Sequence, residues 1–313
     1  MTTAKQVLSL DDQLLHLENN KNLEIPDRDY ARLMLKQIGY FSLISGYKAP
    51  FKNPTTKKYR DGVTFEDIVA LYNFDKELRE LFLKYILQVE RHVRSLLSYY
   101  FTQKHGALQS CYLDPQNYSN IPSYSTGILK LISTLDRLAN RNSDYPYINH
   151  QRTRHRNVPL WVLISALSLG SLSKFYQYIT PDIQTKISLN FIHVDENQLM
   201  QYLKVLTKFR NVCAHGERLF SYQTKDDIPD TILHTKLGIS KKGISFVNGK
   251  HDLFALVICF RYLLPNEDFL RFKAQLITTI NHFHSASSAL PECDLYRYMG
   301  FPENWKNISR YKK

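Results

Sequence analysis

The sequence predicts an all-α chain, and two observations carry that prediction. Apolar residues recur at intervals of three and four through most of the 313 residues, whereas the alternating runs that build strands are rare. Helix-opening patterns precede the strongest periodic stretches, among them Thr64-Phe-Glu-Asp67 and Asp195-Glu-Asn-Gln198, in which an oxygen-bearing cap is followed three residues later by Asp or Gln.

Taken in order, the first clear helix is Tyr30 to Ile38, stopping at Gly39, which is placed for a left-handed cap. An aromatic segment follows, Tyr40 to Lys48, broken by Gly46. A basic turn from Lys52 to Gly62 carries Lys57, Lys58 and Arg60 and the turn pair Asp61-Gly62. From Thr64 a long helical stretch reaches His105, with a break expected near Phe74-Asp75 and a stop at Gly106. Glu90 and Arg94 lie one turn apart on it, off its apolar stripe. Residues 107–125 read as loop, and Gly127 to Ala139 as helix. Arg141 to Asn157 reads as a basic connector, clustering Arg152, Arg154, His155 and Arg156. The apolar run after Pro159 predicts a central helix reaching Gly170, followed by short helices to Phe191. The helix opened by Asp195 runs from Glu196 to about His215. Residues 233–247, with Gly238, Gly243 and β-branched side chains, predict a small β-hairpin or irregular arm. Helices are expected over 251–264 and 268–286, then a docked irregular tail, Tyr298 to Trp305. No composition shift marks a boundary, so residues 1–313 are expected to form one domain.

Composition narrows the function. A hydrophobic share of 43% against 22% charged residues supports a packed core. Lys and Arg outnumber Asp and Glu by 41 to 29, a net charge of +12, which favours a polyanionic partner such as nucleic acid. The cysteines, Cys111, Cys213, Cys259 and Cys293, form no CxxC pair, which argues against zinc ribbons, redox dithiols and a disulfide framework. The first twenty residues lack a basic segment followed by an apolar one, so no signal peptide is expected, and the longest apolar run, Leu253 to Phe260, is far short of a membrane span. The expected setting is cytoplasmic, with no membrane contact. His282 and His284 diverge around a helix, and no glycine-rich phosphate loop is present, so neither metal nor cofactor is expected.

One helix breaks its own pattern. On a wheel, Leu199, Tyr202, Leu203, Val205, Leu206, Phe209, Val212 and Cys213 fill an apolar arc, and Arg210 falls at its edge. A guanidinium there needs an anion, either a carboxylate such as Glu90 or a ligand phosphate. His215 lies about 140° further round, with Thr207, Asn211 and Ala214 between, so a floor of small side chains separates a cation from an imidazole. RNA carries its own nucleophile, the 2′-OH. An imidazole is suited to take that proton near neutrality, and a guanidinium to hold the charge that develops on phosphorus. The competing readings are a packed or surface histidine and an arginine in an internal ion pair. The tyrosines and phenylalanines sit mostly at core spacing. The clusters Arg152, Arg154 and Arg156, and Lys57, Lys58 and Arg60, are candidates for phosphate contact or simply solvated loops.

The string RNVCAH, Arg210 to His215, resembles the R-N-x-x-A-H form of the HEPN ribonuclease motif. Extended to Phe209–Phe220 (FRNVCAHGERLF), it resembles the signature of the Abi (abortive infection) proteins, AbiD/AbiF-like group. Tyr40 to Tyr47, Leu71 to Leu78 (LYNFDKEL) with Glu90 and Arg94, Pro159 to Ser171, and Met299 to Trp305 (MGFPENW) resemble further blocks of that family, so the resemblance spans about residues 25–305. It implies a HEPN-like helical bundle elaborated with extra helices. It also implies metal-independent endoribonuclease activity in phage defence or a toxin-type system, and a homodimer whose paired motif helices form a composite cleft. Arg210 and His215 carry over as catalytic and Asn211 as supporting them. Glu90 and Arg94 match a family position whose role is either catalytic or structural. A regulatory small RNA is a further partner that the resemblance allows. The alternative is a non-catalytic RNA-binding or partner-binding module of a defence system.

Overall fold

A computed structural model of the chain describes residues 7–141 and 144–311. Two helices open it, α1 (Leu10–Leu15) and α2 (Arg28–Ile38). Gly39 ends α2 with φ 86 and ψ 145, so it takes the positive φ expected of it but an extended ψ in place of a left-handed helical turn. The long helix α3 (Phe65–His105) follows, opened by a capping box in which Thr64 and Asp67 serve each other's backbone. It is unbroken, about 60 Å long at 1.5 Å per residue. The expected break at Phe74-Asp75 does not occur, because Asp75 is buried and its carboxylate is partnered by Arg79 one turn on and by donors from outside the helix.

The middle of the chain holds α4 (Gln109–Leu113), α5 (Ser125–Asn140), α6 (Pro146–His155), α7 (Leu160–Leu163), α8 (Leu169–Tyr178) and α9 (Pro181–Ser188). Two expectations change here. The basic connector contains a helix, α6, started by Pro146, whose fixed φ suits a first turn. The apolar stretch after Pro159 is not one central helix. It passes from α7 through a 3-10 turn to an extended Leu167, and Ser168 then restarts the chain by accepting a hydrogen bond from the Ser171 amide at 3.3 Å. Trp161 stays half exposed.

The last part comprises α10 (Glu196–Ala214), α11 (Ile232–Lys236), β1 (Lys241–Lys242), β2 (Ser245–Phe246), α12 (Leu253–Leu263), α13 (Asn266–Ala286) and α14 (Glu292–Met299). The arm over 233–247 is a short helix plus a two-stranded antiparallel hairpin, with Gly243 at φ 65 in its turn. The mostly α class therefore holds. The helix at the centre is α12, every residue of which is buried. The tail is more regular than expected, since α14 and a 3-10 turn from Trp305 flank the docked Met299 and Phe301.

α3 is the spine. α13 lies along one side of it, and α10 lies against another, with α8, α9 and α12 around α10. α3 and α10 run antiparallel: Arg79 reaches the Glu217 carbonyl just past the end of α10, while His92 packs on Phe191 just before its start. Among the described residues, no helix is long and apolar enough to cross a membrane.

Candidate functional site

α10 is opened by a reciprocal cap, Asp195 accepting from the Gln198 amide at 2.7 Å and Gln198 accepting from the Asp195 amide at 3.0 Å. The apolar arc read from the wheel, Leu199 through Cys213, is buried as predicted. At the edge of the arc Arg210 is half-buried, Thr207 beyond it is half-buried too, and Ala214, Asn211 and His215 are exposed. The floor of small side chains is therefore an open surface.

The helix ends by hydrogen-bond geometry. His215 caps its C-terminus, with φ −91 and ψ 2, and donates its amide to the Asn211 carbonyl at 2.9 Å. Gly216, at φ 68, turns left-handed. Its amide goes to Cys213 at 3.3 Å, and that of Glu217 goes back to Val212 at 3.0 Å. This pairing of two returning amides around a left-handed glycine is a Schellman motif, and it fixes the backbone of His215 at the negative end of the helix dipole.

Past Gly216 the chain is pinned by a group that the sequence reading missed. The Asp75 carboxylate, fully buried on α3, accepts the amides of Leu219 (3.0 Å) and Phe220 (2.6 Å), the Tyr47 hydroxyl (2.7 Å) and Arg79 Nη1 (2.6 Å). Arg79 also donates to the Glu217 carbonyl at 3.3 Å. Desolvation pushes the Asp75 carboxyl above its ordinary range, against the pull of Tyr47, Arg79 and the two amides. Desolvation lowers Arg79, but Asp75 and Tyr47 outweigh it and hold the guanidinium charged. The sequence signal was present as Asp75 and Arg79 one turn apart on the stripe of Leu71, Leu78 and Phe82.

Among the described residues Arg210 has no carboxylate partner. Its Nε is closed off from solvent and makes no hydrogen bond. The internal partner weighed for it, Glu90, pairs instead with Arg94: Glu90 is buried, its Oε1 accepts from Arg94 at 2.5 Å while its Oε2 makes no hydrogen bond, and Arg94 also donates to the Leu167 carbonyl at 3.1 Å. Glu90 thus lies inside the packing and not off the apolar stripe as read. The His215 ring is exposed and engaged by no other side chain among the described residues, Glu217 included. Burial pushes the Cys213 thiol up to about 12, so it packs as a neutral group.

The other candidates are placed apart. Arg152 donates to the Asn149 side chain at 2.8 Å and to the Arg141 carbonyl, while Arg154 and Arg156 are exposed at the end of α6. Lys57 and Lys58 are exposed at the tip of their turn. Arg60 is half-buried and staples that turn to the C-terminal region, donating to the carbonyls of Pro50 (3.1 Å) and Ala289 (2.8 Å). Since α6 packs on α5 and α7, the two basic clusters stay on separate parts of the molecule. No group of three or more His, Cys, Asp or Glu among the described residues is arranged to hold a metal ion.

The family model described as Abi-like protein matches residues 33–221, more than half of the chain and inclusive of every residue of the α10 site. Comparison with curated proteins and with solved structures gives no match.

Proposed function

The chain belongs to the Abi-like family, and from that premise we propose that it is a metal-independent endoribonuclease of HEPN type, of the AbiD/AbiF-like group, acting in abortive infection or a toxin-type system. One observation carries the reading: at the end of α10, five residues apart, stand a half-buried guanidinium without an anion and an imidazole that no other side chain engages among the described residues. A buried or half-buried cation left unpaired is costly unless a ligand completes it, and a phosphate does so bidentately.

In the proposed reaction His215 takes the proton of the ribose 2′-OH. The O2′ attacks the adjacent phosphorus in line, the P–O5′ bond breaks, and the departing O5′ takes up a proton. The products are a 2′,3′-cyclic phosphate and a 5′-hydroxyl. Arg210 holds the charge that builds on the phosphorane oxygens, and Asn211 offers an amide to a phosphate oxygen or to the ring. Because the face is open in the single chain, we propose that a second copy closes it, the two α10 ends facing each other in a homodimer. RNA is the substrate.

The test is cleavage of single-stranded RNA in excess EDTA by wild type, Arg210→Ala and His215→Ala, with end-group analysis and light scattering. Cyclic phosphate ends from wild type alone support the reading. Intact RNA that is nevertheless bound by wild type favours the non-catalytic RNA-binding alternative.

A further inference from the structure

Beyond the motif, the molecule holds a cationic groove of about 820 Å³ between the turn that follows Ala49 and helix α14. Lys48, Lys52, Lys57 and Arg297 line it, with Arg60 in its wall. The one carboxylate there, Asp294, is already paired with Arg297 at 2.8 Å. The surplus of positive charge is felt inside the groove, since desolvation and then the neighbouring Lys48 and Lys21 lower the Lys52 ammonium. Arg60, bonded to Pro50 and Ala289, ties the turn to the segment that leads into α14.

The groove is joined to the α10 site by two contacts on the strap after His215. Arg218 donates to the Gly46 carbonyl, two residues before Lys48. Phe220 touches the ring of Tyr298, with centroids 6.0 Å apart, and Tyr298 lines the groove and keeps 37% of its surface open. Cations beside an accessible aromatic ring are what a single strand needs, phosphates on one and a base stacked on the other. A duplex offers no free base face. A flexible strand also lets the 2′-OH reach the in-line geometry that a regular helix denies it.

We propose that this groove is a phosphate-binding subsite for single-stranded RNA on one flank of the scissile linkage, with Lys48, Lys52, Lys57 and Arg297 as phosphate ligands and Tyr298 as stacking face. The proposal rests on the ribonuclease reading of the α10 face for its register, though its binding test does not depend on cleavage.

The probe is a fluorescent 2′-O-methyl oligonucleotide of about 12 nucleotides, which lacks the nucleophile and so reports binding alone. Lys48→Ser/Lys52→Ser/Arg297→Ser is expected to bind it roughly 10-fold or more weakly, with the salt slope of log K reduced by about 2, as for three lost phosphate contacts on a single strand. The pair Lys57→Glu/Arg297→Glu, at exposed side chains, should show the same direction with an unchanged melting temperature. Lys130→Ser/Lys186→Ser, exposed on α5 and α9 and outside the groove lining, should bind as wild type does. Cleavage of a dinucleotide, too short to reach the groove, should be equal in wild type and triple variant, while the KM for the longer RNA rises. Affinity within twofold of wild type in both groove variants overturns the proposal, as does tighter binding of a duplex than of the single strand. A wild type that cuts no RNA but loses binding in the groove variants overturns the ribonuclease reading and leaves the groove standing.

Discussion

At the scale of single residues, the candidate site was legible because an arginine in an apolar arc is a local anomaly. Arg210 stands out from Leu206, Phe209 and Cys213 without any knowledge of the fold. The absence of an internal anion was not legible, since only packing shows that Glu90 belongs to Arg94. If Arg210 grips the phosphorane by its fork, Arg210→Lys should fail to replace it. Single-turnover cleavage is expected to fall by roughly two orders of magnitude in both Arg210→Ala and Arg210→Lys, with RNA affinity changed only a few-fold. A rate restored by lysine would show that charge alone suffices. Asp75 was invisible as a partner for a different reason: its acceptor duties are to amides some 144 residues away. Asp75→Asn replaces a carboxylate that takes four donors by an amide that directs an NH₂ toward some of them. Denaturant unfolding should show a loss of about 3–5 kcal/mol, the range for breaking a buried pair. A loss below 1 kcal/mol would mean that the strap after Gly216 is held by other contacts.

At the scale of elements, capping chemistry was the most readable signal. Thr64 with Asp67, and Asp195 with Gln198, set the starts of α3 and α10 as the sequence implied. Periodicity was less faithful where long-range partners compensated a charge or where a short-range cap intervened. The break expected near Phe74-Asp75 does not occur, because the donors that meet Asp75 let the helix continue for 41 residues. Ser168 did the reverse, cutting an apolar run that would otherwise read as one helix. The end of α10 depends on Gly216 being left-handed. No atom obstructs a Cβ there, so Gly216→Ala isolates the conformational cost. It should lower stability by about 1–2 kcal/mol. If the Schellman turn is what aims His215, cleavage should fall further than the lost stability explains at a temperature where the variant is fully folded. Equal specific activity in that variant would show that His215 is aimed by something other than the helix end.

At the scale of the whole molecule, the family match stops at residue 221, yet the helix at the centre of the core and the helix that flanks the spine both come later, as α12 and α13. Which segments cover α3 could not be read from the sequence, because apolar faces state that they need a partner and not which one. The joint between this last third and its own tail is unusually tight. Asp252 caps α12, accepting the amides of Gly249 at 2.9 Å and Ala255 at 3.0 Å, and a Cβ on Gly300, which sits left-handed at φ 75, would fall 2.3 Å from its carboxyl carbon. The MGFPENW block therefore needs its glycine on two counts, backbone and space. Closing that joint buries Asp252, and desolvation pushes its pKa up to about 6 despite the two amides. An acid whose folded pKa is raised favours folding while it is protonated. Its contribution is complete below the unfolded value near 4 and is lost as pH rises through 6. By linkage the folded state should lose about 2 kcal/mol from this group between pH 4 and 7. Other carboxylates titrate over the same range, so the informative quantity is the difference between wild type and Asp252→Asn, whose amide accepts the same hydrogen bonds but does not ionise. Denaturant unfolding of both proteins at pH 4.5 and pH 7 should show that difference moving in favour of the variant by most of that amount. A difference that stays constant with pH would mean that Asp252 enters the folded state ionised, with the α12 terminus supplying enough positive potential to offset its burial.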